Sequence, residues 1–357
     1  MNAPFNPGAL AVTLADLDDQ AELSALEAFV RSRTDSTPFH RAAWIKAVAT
    51  GTGQRAHCLV ARDAAGAIRG VLPLTEIRSW LFGGALVSSG FAVGGGMLAD
   101  GDYVAETLAQ ACWTLAESLG CTTAELRGGP APAKGWVTKS DTYMGFCKPL
   151  EADDEAQLLA VPRKHRAELR KGLANNLQFE IGRDQRLRDI HYTLFACSVH
   201  NLGTPVFPRS LFEAVLDGFG DEADIAAVFH RGEPVSSILS LYHGEACMPY
   251  WQGSSASARA LRSNEVAYFR LMSLARERGY RLFDFGRSKS GTGPAAWKKS
   301  WGWEGEPLGY HVRAAEGHEL RDVNPLSPQY QRKVQLWKKL PLGLANCIGP
   351  HIARGLG

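Results

Sequence analysis

The amino-acid sequence predicts a mixed α/β protein built from two similar domains. In each half of the chain, two apolar strands around a tight turn precede a helix, and a further strand follows that helix. Recurrence of this order over a long period indicates duplication of one supersecondary unit. The 357 residues suffice for two domains of ordinary size.

The first half of the chain shows this order once. A turn at 63–66 separates two apolar runs, and the main helix ends where Gly120 interrupts the helical periodicity. We expect helices at 17–31, from 38 onward and at 103–119, and strands at 57–62, 67–75, 122–127 and 142–150.

The second half repeats the order after a basic helix. The hairpin at 229–241 corresponds in kind to that at 61–74, and 284–287 follows a helix as 125–128 does. The predicted domains are residues 1–150 and 151–312, followed by a tail at 313–357. We expect helices at 161–177, 188–201, 210–218 and 264–278, and strands at 179–181, 225–230, 235–242, 246–252 and 281–285.

Composition narrows the class of protein. Hydrophobic residues make up 45% of the chain and charged residues 21%, while the net charge is only +2, so any anion site must be local. The seven cysteines form no Cys-x-x-Cys pair, which favours a reducing, cytoplasmic setting over a disulfide framework or a zinc site. The first residues lack the charged and apolar regions of a signal peptide, and no window has the roughly 20 apolar residues of a membrane span.

The most informative segment runs from Phe283 to Trp303, with the sequence FDFGRSKSGTGPAAWKKSWGW. It begins as a short apolar strand, turns through Gly286 into a cationic stretch, and enters a short element that carries Trp297 and Lys298. Glycine lets a backbone approach a ligand closely, cations bind anions, and indole rings stack on flat groups. The segment therefore predicts a ligand site with an anionic component.

This segment resembles the C-terminal signature of the FemAB-like branch of the GNAT acyltransferase superfamily, in particular the subgroup associated with bacterial exopolysaccharide and exosortase systems. Similar runs occur at 161–166 (VPRKHR), 250–253 (YWQG) and 337–341 (WKKLP), so that the resemblance covers most of the chain. It implies an α/β fold of two tandem GNAT-like domains. It also implies an N-acyltransferase that moves an acyl or aminoacyl group onto an amine.

The resemblance implies co-substrates and partners as well. FemAB-like enzymes as a group use aminoacyl-tRNA donors and other GNAT enzymes use acyl-CoA, so we expect one of these as co-substrate, with no permanently bound cofactor and no metal. The expected acceptor is an amine of a cell-envelope, peptidoglycan or exopolysaccharide precursor. We expect the protein in the cytoplasm, at the inner face of the membrane if its tail contacts lipid.

Within the glycine-rich segment, the resemblance places Trp297 and Lys298 at the acyl-transfer centre. Acyl transfer to an amine requires alignment of the reactants and stabilisation of the developing oxyanion, and we expect Lys298 to supply positive charge there. Asp284 would either accept the amine proton or anchor Arg287. A covalent nucleophile is not required, and the sequence has neither a Gly-x-Ser-x-Gly elbow nor a local Cys/His signature.

The donor is expected near 250–253, where a GNAT sheet opens. The loop before the helix at 264–278 lacks the glycines with which acetyl-CoA enzymes hold a pyrophosphate, so we expect acetyl-CoA to bind no better than about 1 mM. The glycines at 94–96 of the first half do not have that spacing either, and a tight turn is the alternative reading for them. The expected donor-binding residues are Tyr250, Gln252, Arg262, Arg287, Ser288, Lys289, Thr292, Gly293 and Trp297.

Four residues are expected to bind the acceptor. Arg163 and Arg166 share one face of the basic helix with Arg170, which suits polyphosphate, a tRNA backbone or an acidic polysaccharide, or else a solvated surface. His40 and Trp44 match an element that lines the acceptor side in the family, with helix capping and packing as the alternatives.

Two functions remain open from the sequence. The first is the N-acyltransferase just described, with the donor held by the second domain. The alternative is a GNAT-like scaffold that has lost catalysis and binds a polysaccharide or envelope partner. The tail, with Trp337 and two lysines, would either contact a membrane surface or pack on its own domain.

Overall fold

The computed structural model describes residues 10–80, 83–318 and 334–357, and the chain divides into two compact units. The first unit comprises residues 1–140, 308–323 and 354–357. The second unit comprises residues 141–307 and 324–353.

The first unit is built on an eight-stranded sheet. Its strands are β1 (Ala11–Leu14), β2 (Arg55–Arg62), β3 (Ile68–Ser79), β4 (Gly83–Ser88), β5 (Leu98–Ala99), β6 (Thr123–Arg127), β7 (Val137–Lys139) and β15 (Tyr310–Ala314). Its helices are α1 (Gln20–Arg31), α2 (Ala42–Thr52) and α3 (Asp102–Ser118). The strand order is β1-β2-β3-β4-β6-β15-β7, with β5 paired to β3, and among the described strands of this unit only β4 and β6 run parallel.

Two apolar clusters hold this sheet. In one, Leu108 and Trp113 of α3 pack with Leu72 of β3, and in the other, Ile45 of α2 packs with Val71. Successive residues of a strand point to opposite faces, so Val71 and Leu72 serve different clusters. Helices therefore cover both faces of the central strands.

The second unit is built on a seven-stranded sheet. Its strands are β8 (Tyr143–Pro149), β9 (Leu177–Gly182), β10 (Ala223–His230), β11 (Glu233–His243), β12 (Ala246–Ser254), β13 (Leu282–Lys289) and β14 (Glu306–Pro307). Its helices are α4 (Asp154–Ala160), α5 (Arg163–Ala174), α6 (Gln185–Leu202), α7 (Arg209–Phe219), α8 (Ala258–Leu261), α9 (Ser263–Glu277), α10 (Gly293–Ser300) and α11 (Leu342–Ala353). The strand order is β14-β8-β13-β12-β11-β10-β9, and within the described part of this unit only β12 and β13 run parallel.

The core of this unit forms against α9. Leu271 and Met272 of α9 are fully buried in one cluster with Val228 and Ile238 of the β10–β11 hairpin. Elsewhere in the unit, aromatic rings of α6 and α7 pack on β12, with Phe212 and Trp251 at a centroid distance of 4.4 Å. The α6 helix begins at Asp184, whose carboxylate accepts a hydrogen bond from the N–H of Leu187, and ends at Gly203 in the left-handed conformation.

The predicted fold of two tandem α/β units is confirmed. In both units an antiparallel hairpin leads to a third strand, and a helix then crosses to a strand that lies parallel to that third strand. Two parts of the chain belong to sheets that the sequence did not indicate. The β8 strand, predicted within residues 1–150, pairs with β13 of the second unit, and β15 near residue 312 pairs with β6 of the first.

Most of the described tail after residue 333 is helical. The α11 helix lies against the segment after α6, and a Cβ added at Gly349 would come within 3.1 Å of the Val206 nitrogen. Across residues 10–80, 83–318 and 334–357, no helix combines the length and apolar character that a membrane crossing needs. The tail residues 319–333 lie outside the described residues.

Candidate functional site

In the second unit, the parallel strands β12 and β13 diverge soon after they meet. They pair only at Ala246 with Leu282 and at Cys247 with Phe283, although each strand continues for several residues. Beyond Cys247, the β13-facing edge of β12 therefore carries backbone groups that lack a strand partner in the described chain. A gap at the carboxyl ends of parallel strands is a common position for a ligand.

A β-bulge interrupts β12 beside this gap. Leu239 of β11 pairs with Trp251 and Ser240 pairs with Pro249, so that Tyr250 is the extra residue. Bulges re-aim side chains and backbone groups and are frequent near active sites. The bulge follows directly on the segment where β12 leaves β13.

A second bulge interrupts β13 on the other side of the gap. Asp284 pairs with Cys147 of β8 and Arg287 pairs with Gly145, so that Phe285 and Gly286 both lie opposite the intervening strand residue. Gly286 has a φ of +66°, in the left-handed region that favours glycine. The predicted end of this strand at 285 is wrong, because the bulge lets the strand continue to Lys289.

The ammonium group of Lys298 holds the β13 bulge. Its Nζ donates to the carbonyl oxygens of Phe285 at 2.6 Å, Gly286 at 3.2 Å and Arg287 at 3.0 Å. The side chain is buried and lies over the ring of Phe146, with Nζ 5.3 Å from its centroid. An ammonium group has three protons, so these carbonyl groups occupy all of its donors. In this arrangement Lys298 fixes the backbone and presents no spare donor to a ligand.

Asp284 holds the same bulge from its other side. Its Oδ1 accepts a hydrogen bond from the N–H of Gly286 at 2.7 Å, so it anchors the backbone of the bulge. Burial raises the pKa of Asp284, whereas the Gly286 N–H and the charge of Lys298 act in the opposite direction. Burial also lowers the pKa of Lys298 to about 8, with Asp284 opposing and Arg287 reinforcing that shift.

A polar network joins β11, β12 and the start of α9. The Oδ1 of Asn264 accepts hydrogen bonds from Ser236 Oγ at 2.7 Å and from Gln252 Nε2 at 3.0 Å. Ser236 is fully buried, and its Oγ lies 2.6 Å from that of Ser263. Ser236 is not among the residues predicted from the sequence, although a polar residue within the apolar run of β11 is a signal that could have identified it.

The orientation of the two amide groups follows from a backbone contact. Gln252 Nε2 also donates to the carbonyl oxygen of Gly253 at 3.1 Å, so this end of the amide must be the nitrogen. Consequently the amide oxygen of Gln252 and the amide nitrogen of Asn264 are left without a hydrogen-bond partner among the described residues. The network thus holds one acceptor and one donor ready for a ligand at the end of β12.

The start of α9 is less cationic than the sequence predicts. The Nε of Arg262 donates to Glu168 at 2.6 Å, and its Nη1 donates to the carbonyl groups of Arg259 and Ala260. Glu168 also binds Lys171, and hydrogen bonds from Lys171 and Arg262 lower the pKa of Glu168 to about 2. The structure therefore places Arg262 in an ion pair beside the α9 N-terminus.

The remaining expected donor residues lie along β13 and α10. Arg287, Ser288 and Lys289 pair with β8, and the guanidinium of Arg287 lies 4.3 Å from the ring centroid of Tyr143. Ser288 is buried. The expected donor residues therefore occupy both walls of the gap.

The short helix α10 is seated by aromatic packing and by a turn contact. Thr292 Oγ1 donates to the carbonyl of Lys289 at 2.7 Å, and Gly293 begins the helix. Trp297 packs on Tyr268 with a centroid distance of 5.0 Å, and on the β12 side Tyr250 lies 4.9 Å from the ring of Trp251. These contacts direct Lys298 toward the bulge.

The structure gives His40 and Trp44 structural environments. His40 Nδ1 accepts a hydrogen bond from the backbone N–H of Thr37 at 2.9 Å and so caps a short turn. Trp44 is fully buried, and its Nε1 donates to the carbonyl of Gly90 at 3.2 Å. These contacts fit the alternative roles, helix capping for His40 and core packing for Trp44. Contact with an acceptor would require the two side chains to become exposed.

The basic face of α5 is solvent-exposed, as the sequence predicts. Arg163, Lys164, Arg170 and Lys171 are exposed, whereas His165, Leu169 and Gly172 point inward. Arg166 donates to the carbonyl of Leu159 at 3.1 Å, which fixes it near the preceding helix. The helix is therefore available to an anionic partner.

In the first unit, the corresponding parallel pair is closed. Strands β4 and β6 pair at three positions, and beyond them Ser88 Oγ accepts a hydrogen bond from the N–H of Arg127 at 2.8 Å. The Arg127 guanidinium donates to the carbonyl groups of Ala92 at 2.8 Å and Gly357 at 3.0 Å. A Cβ added at Gly96 would overlap the carbonyl of Gly128, so the absence of a side chain at Gly96 allows two loops to touch. The space that is open in the second unit is filled here by the chain itself.

Other candidate sites in the described residues have fewer groups available to bind a ligand. A cleft of about 370 Å³ lies at the C-terminal end of α9, and its arginines pair with its aspartates, Arg183 with Asp221 and Arg278 with Asp224. Within the described ranges, no three His, Cys, Asp or Glu side chains are grouped as a metal site. The gap between β12 and β13 is therefore the principal candidate.

Comparison with known proteins places the gap within a recognised domain. Residues 161–299 match the family of the acetyltransferase (GNAT) domain, and this range includes both diverging strands and Lys298. No curated protein matches the chain by sequence. The second unit therefore carries a GNAT domain, and the predicted GNAT class of acyltransferase is confirmed.

Solved structures extend the similarity to both units. FemX shares 16% identity with a TM-score of 0.65, covering 89% of this chain and 98% of FemX. A tandem GNAT protein from the clavulanic acid biosynthesis pathway shares 13% identity with a TM-score of 0.57, covering 87% and 100% of the two chains. L-PGS from Bacillus licheniformis shares 13% identity with a TM-score of 0.52, covering 91% and 98%. These similarities concern the fold, and they confirm the predicted fold of two tandem GNAT-like domains.

Proposed function

We propose that this protein is an N-acyltransferase that moves an acyl or aminoacyl group onto an amine of a cell-envelope or exopolysaccharide precursor. The observation that carries the proposal is the gap between β12 and β13, which has a bulge in each wall and lies inside a GNAT domain. The activated donor would lie in this gap. Acyl-CoA and aminoacyl-tRNA both carry the acyl group as an activated thioester or ester and are the candidate donors.

The reaction would proceed by direct attack of the neutral amine on the donor carbonyl. A C–N bond forms, the carbonyl oxygen gains negative charge, and the amine loses a proton as the bond to the leaving group breaks. The leaving thiolate or alkoxide takes up a proton. Backbone N–H groups of β12 that face the gap would stabilise the oxyanion, because preorganised donors act most strongly where charge develops.

Lys298 would act mainly as a positioning residue. Its three hydrogen bonds and the Asp284 contact fix the β13 bulge, which forms one wall of the donor site. Its positive charge would also favour the developing oxyanion over the neutral carbonyl. A lysine serves this double purpose well because its charge is compact and its three donors can converge on one backbone turn.

Gln252 and Asn264 would contact a neutral part of the donor. A phosphate group would meet the Asn264 N–H favourably, but the unpaired oxygen of Gln252 would repel it. A group that presents an acceptor beside a donor, as an amide does, satisfies both side chains. We therefore assign phosphate binding elsewhere, with the exposed cations of α5 as candidates on the tRNA or acceptor side.

A transfer assay tests the function. The purified protein is incubated with an extract of envelope precursors and either acetyl-CoA or aminoacyl-tRNA, and mass spectrometry detects products whose mass increases by the donor's acyl group. We expect a donor-dependent, catalytic product, with Lys299→Ala as the matched control for Lys298→Ala. If the protein retains a polysaccharide or precursor through purification but yields no product with either donor, the binding-protein alternative is correct.

A further inference from the structure

The outer face of α11 is apolar and exposed. Leu344 and Ile348 lie one turn apart with 50% and 36% of their surfaces exposed, and Leu342 at the start of the helix is 36% exposed. Ala345 and Gly349 form the buried inner face. Most helices on a protein surface instead turn charged residues outward.

The same surface continues into the neighbouring segments of the second unit. Leu336, just before α11, is 68% exposed, and Leu202 at the end of α6 is 65% exposed. The end of α6 lies next to the segment before α11, because a Cβ added at Gly203 would come within 3.1 Å of the Lys338 side chain. We call Leu202, Leu336, Leu342, Leu344 and Ile348, together with Lys338 and Lys339, the α11 surface.

Charge on the α11 surface has one sign. The helix itself contains no Asp, Glu, Lys or Arg, and no acidic residue occurs anywhere in 334–357. Lys338 and Lys339 are both exposed. An apolar face bordered by lysines and free of carboxylates complements the headgroup region of an anionic bilayer.

We propose that the α11 surface docks the protein onto an anionic lipid bilayer. The helix would lie in the plane of the membrane, with its leucine and isoleucine side chains among the upper acyl chains and the two lysines at the lipid phosphates. The helix is anchored to the domain by its inner face and by the contact of His200 Nε2 with the Leu340 carbonyl at 3.0 Å, so docking needs no unfolding. Docking does not depend on the acyltransferase activity, although it would bring the gap to a lipid-linked acceptor.

Another copy of this chain is the less favoured occupant. A two-fold interface on this surface would bring together two pairs of lysines without opposing carboxylates, and like charges in an interface disfavour association. A bilayer of anionic lipids supplies the missing negative charge. Light scattering of the purified protein separates the two occupants.

Vesicle flotation with the full chain tests the proposal. We expect the protein to float with vesicles of phosphatidylcholine and phosphatidylglycerol in equal amounts, and much less with phosphatidylcholine alone. Lys338→Ala combined with Lys339→Ala should lower the partition coefficient by about fivefold per lysine, or roughly 25-fold together. Leu344→Glu combined with Ile348→Glu should lower it by about tenfold or more, because these changes also remove apolar contact.

Leu159→Glu is the matched control. Leu159 of α4 is 54% exposed on the same unit but lies outside the α11 surface, so this variant should float like the unchanged protein. Equal melting temperatures show that each variant is folded. The proposal is overturned if the unchanged protein ignores anionic vesicles, if Leu159→Glu loses binding as much as the α11 variants do, or if the α11 variants abolish a dimer instead. Transfer to a water-soluble acceptor should be the same for all variants, so that failure of the catalytic proposal is distinguishable from failure of this one.

Discussion

The two units share one strand arrangement, but they differ at the carboxyl ends of their parallel strands. The gap between these strands is open in the second unit and closed in the first. In the second unit β12 and β13 separate after two paired positions, and Lys298 and Asp284 hold the backbone of one wall. In the first unit Ser88 and Arg127 continue the connection between β4 and β6, and loops occupy the space beyond. A positively charged side chain donates to backbone carbonyl groups in both cases. In one unit it shapes an open site, and in the other it helps to close the fold.

The largest effect should come from Lys298. We expect Lys298→Ala to lower kcat about 10²–10³-fold, because the β13 bulge loses three hydrogen bonds and the site loses a charge. Lys298→Arg should restore little, since a planar guanidinium cannot place three donors around one turn as an ammonium does. Lys299→Ala is the control, and its exposed side chain should matter far less. Equal losses in kcat for the two alanine variants would remove Lys298 from the mechanism.

The pH dependence of stability should reveal the burial of Lys298. Its pKa is about 8 in the fold and 10.5 ordinarily, so between these values the unfolded chain binds a proton that the folded chain has released. The free energy of unfolding should therefore rise, relative to that of Lys298→Met, as pH increases from 8 to 10.5. Over the full range between the two pKa values, the free energy of unfolding should change by roughly 3 kcal/mol relative to that of Lys298→Met. Below pH 8, the difference in unfolding free energy between the two proteins should be constant. Denaturant unfolding at several pH values measures it, and a difference that falls with pH would contradict the assignment.

Arg127 provides the corresponding test in the first unit. Arg127→Met should destabilise that unit by about 2 kcal/mol, because the carbonyl groups of Ala92 and Gly357 lose their donor and Glu125 loses its ion pair. Hydrogen exchange of the first unit's amides would report the loss. The KM for the donor should not change, because the donor site lies in the second unit. If Arg127→Met raised the donor KM as much as substitutions around β12 do, the donor site would not be confined to the second unit.

The smallest predicted effect concerns the amide pair. Asn264→Asp keeps the oxygen that Ser236 and Gln252 bind and replaces only the unpartnered N–H group, so the donor KM should rise about tenfold with little change in kcat. Ala256→Asp, at an exposed position before α8, controls for the added negative charge. A neutral amide-bearing fragment such as S-acetylpantetheine, used as a competitor, separates hydrogen bonding from charge repulsion. Equal donor KM values for the two variants would exclude the proposed contact.

The sequence alone determined the local elements and their repetition. The hairpins at β2–β3 and β10–β11 and the crossing helices α3 and α9 are encoded by apolar periodicity and turn residues close to them in the chain. The short strand β4, with glycines at 83 and 84, gave no such signal, and neither did β15, whose partner β6 lies far upstream. The exposed basic face of α5 was also predictable, because charge spacing on a helix is a local property.

Only the tertiary structure decided how the candidate site is built. The sequence indicates that Lys298 follows a glycine-rich turn, but its three carbonyl partners come from a bulge that exists because β13 pairs with β8. Likewise, Asn264 could be read as a helix cap, and it becomes half of a donor–acceptor pair because β11 brings Ser236 to it from 28 residues away in the chain. Local patterns specify helices and strands because their hydrogen bonds and apolar faces are short-range. The direction of a polar side chain depends on long-range packing, and that packing is why one parallel pair of strands is open and the other is closed.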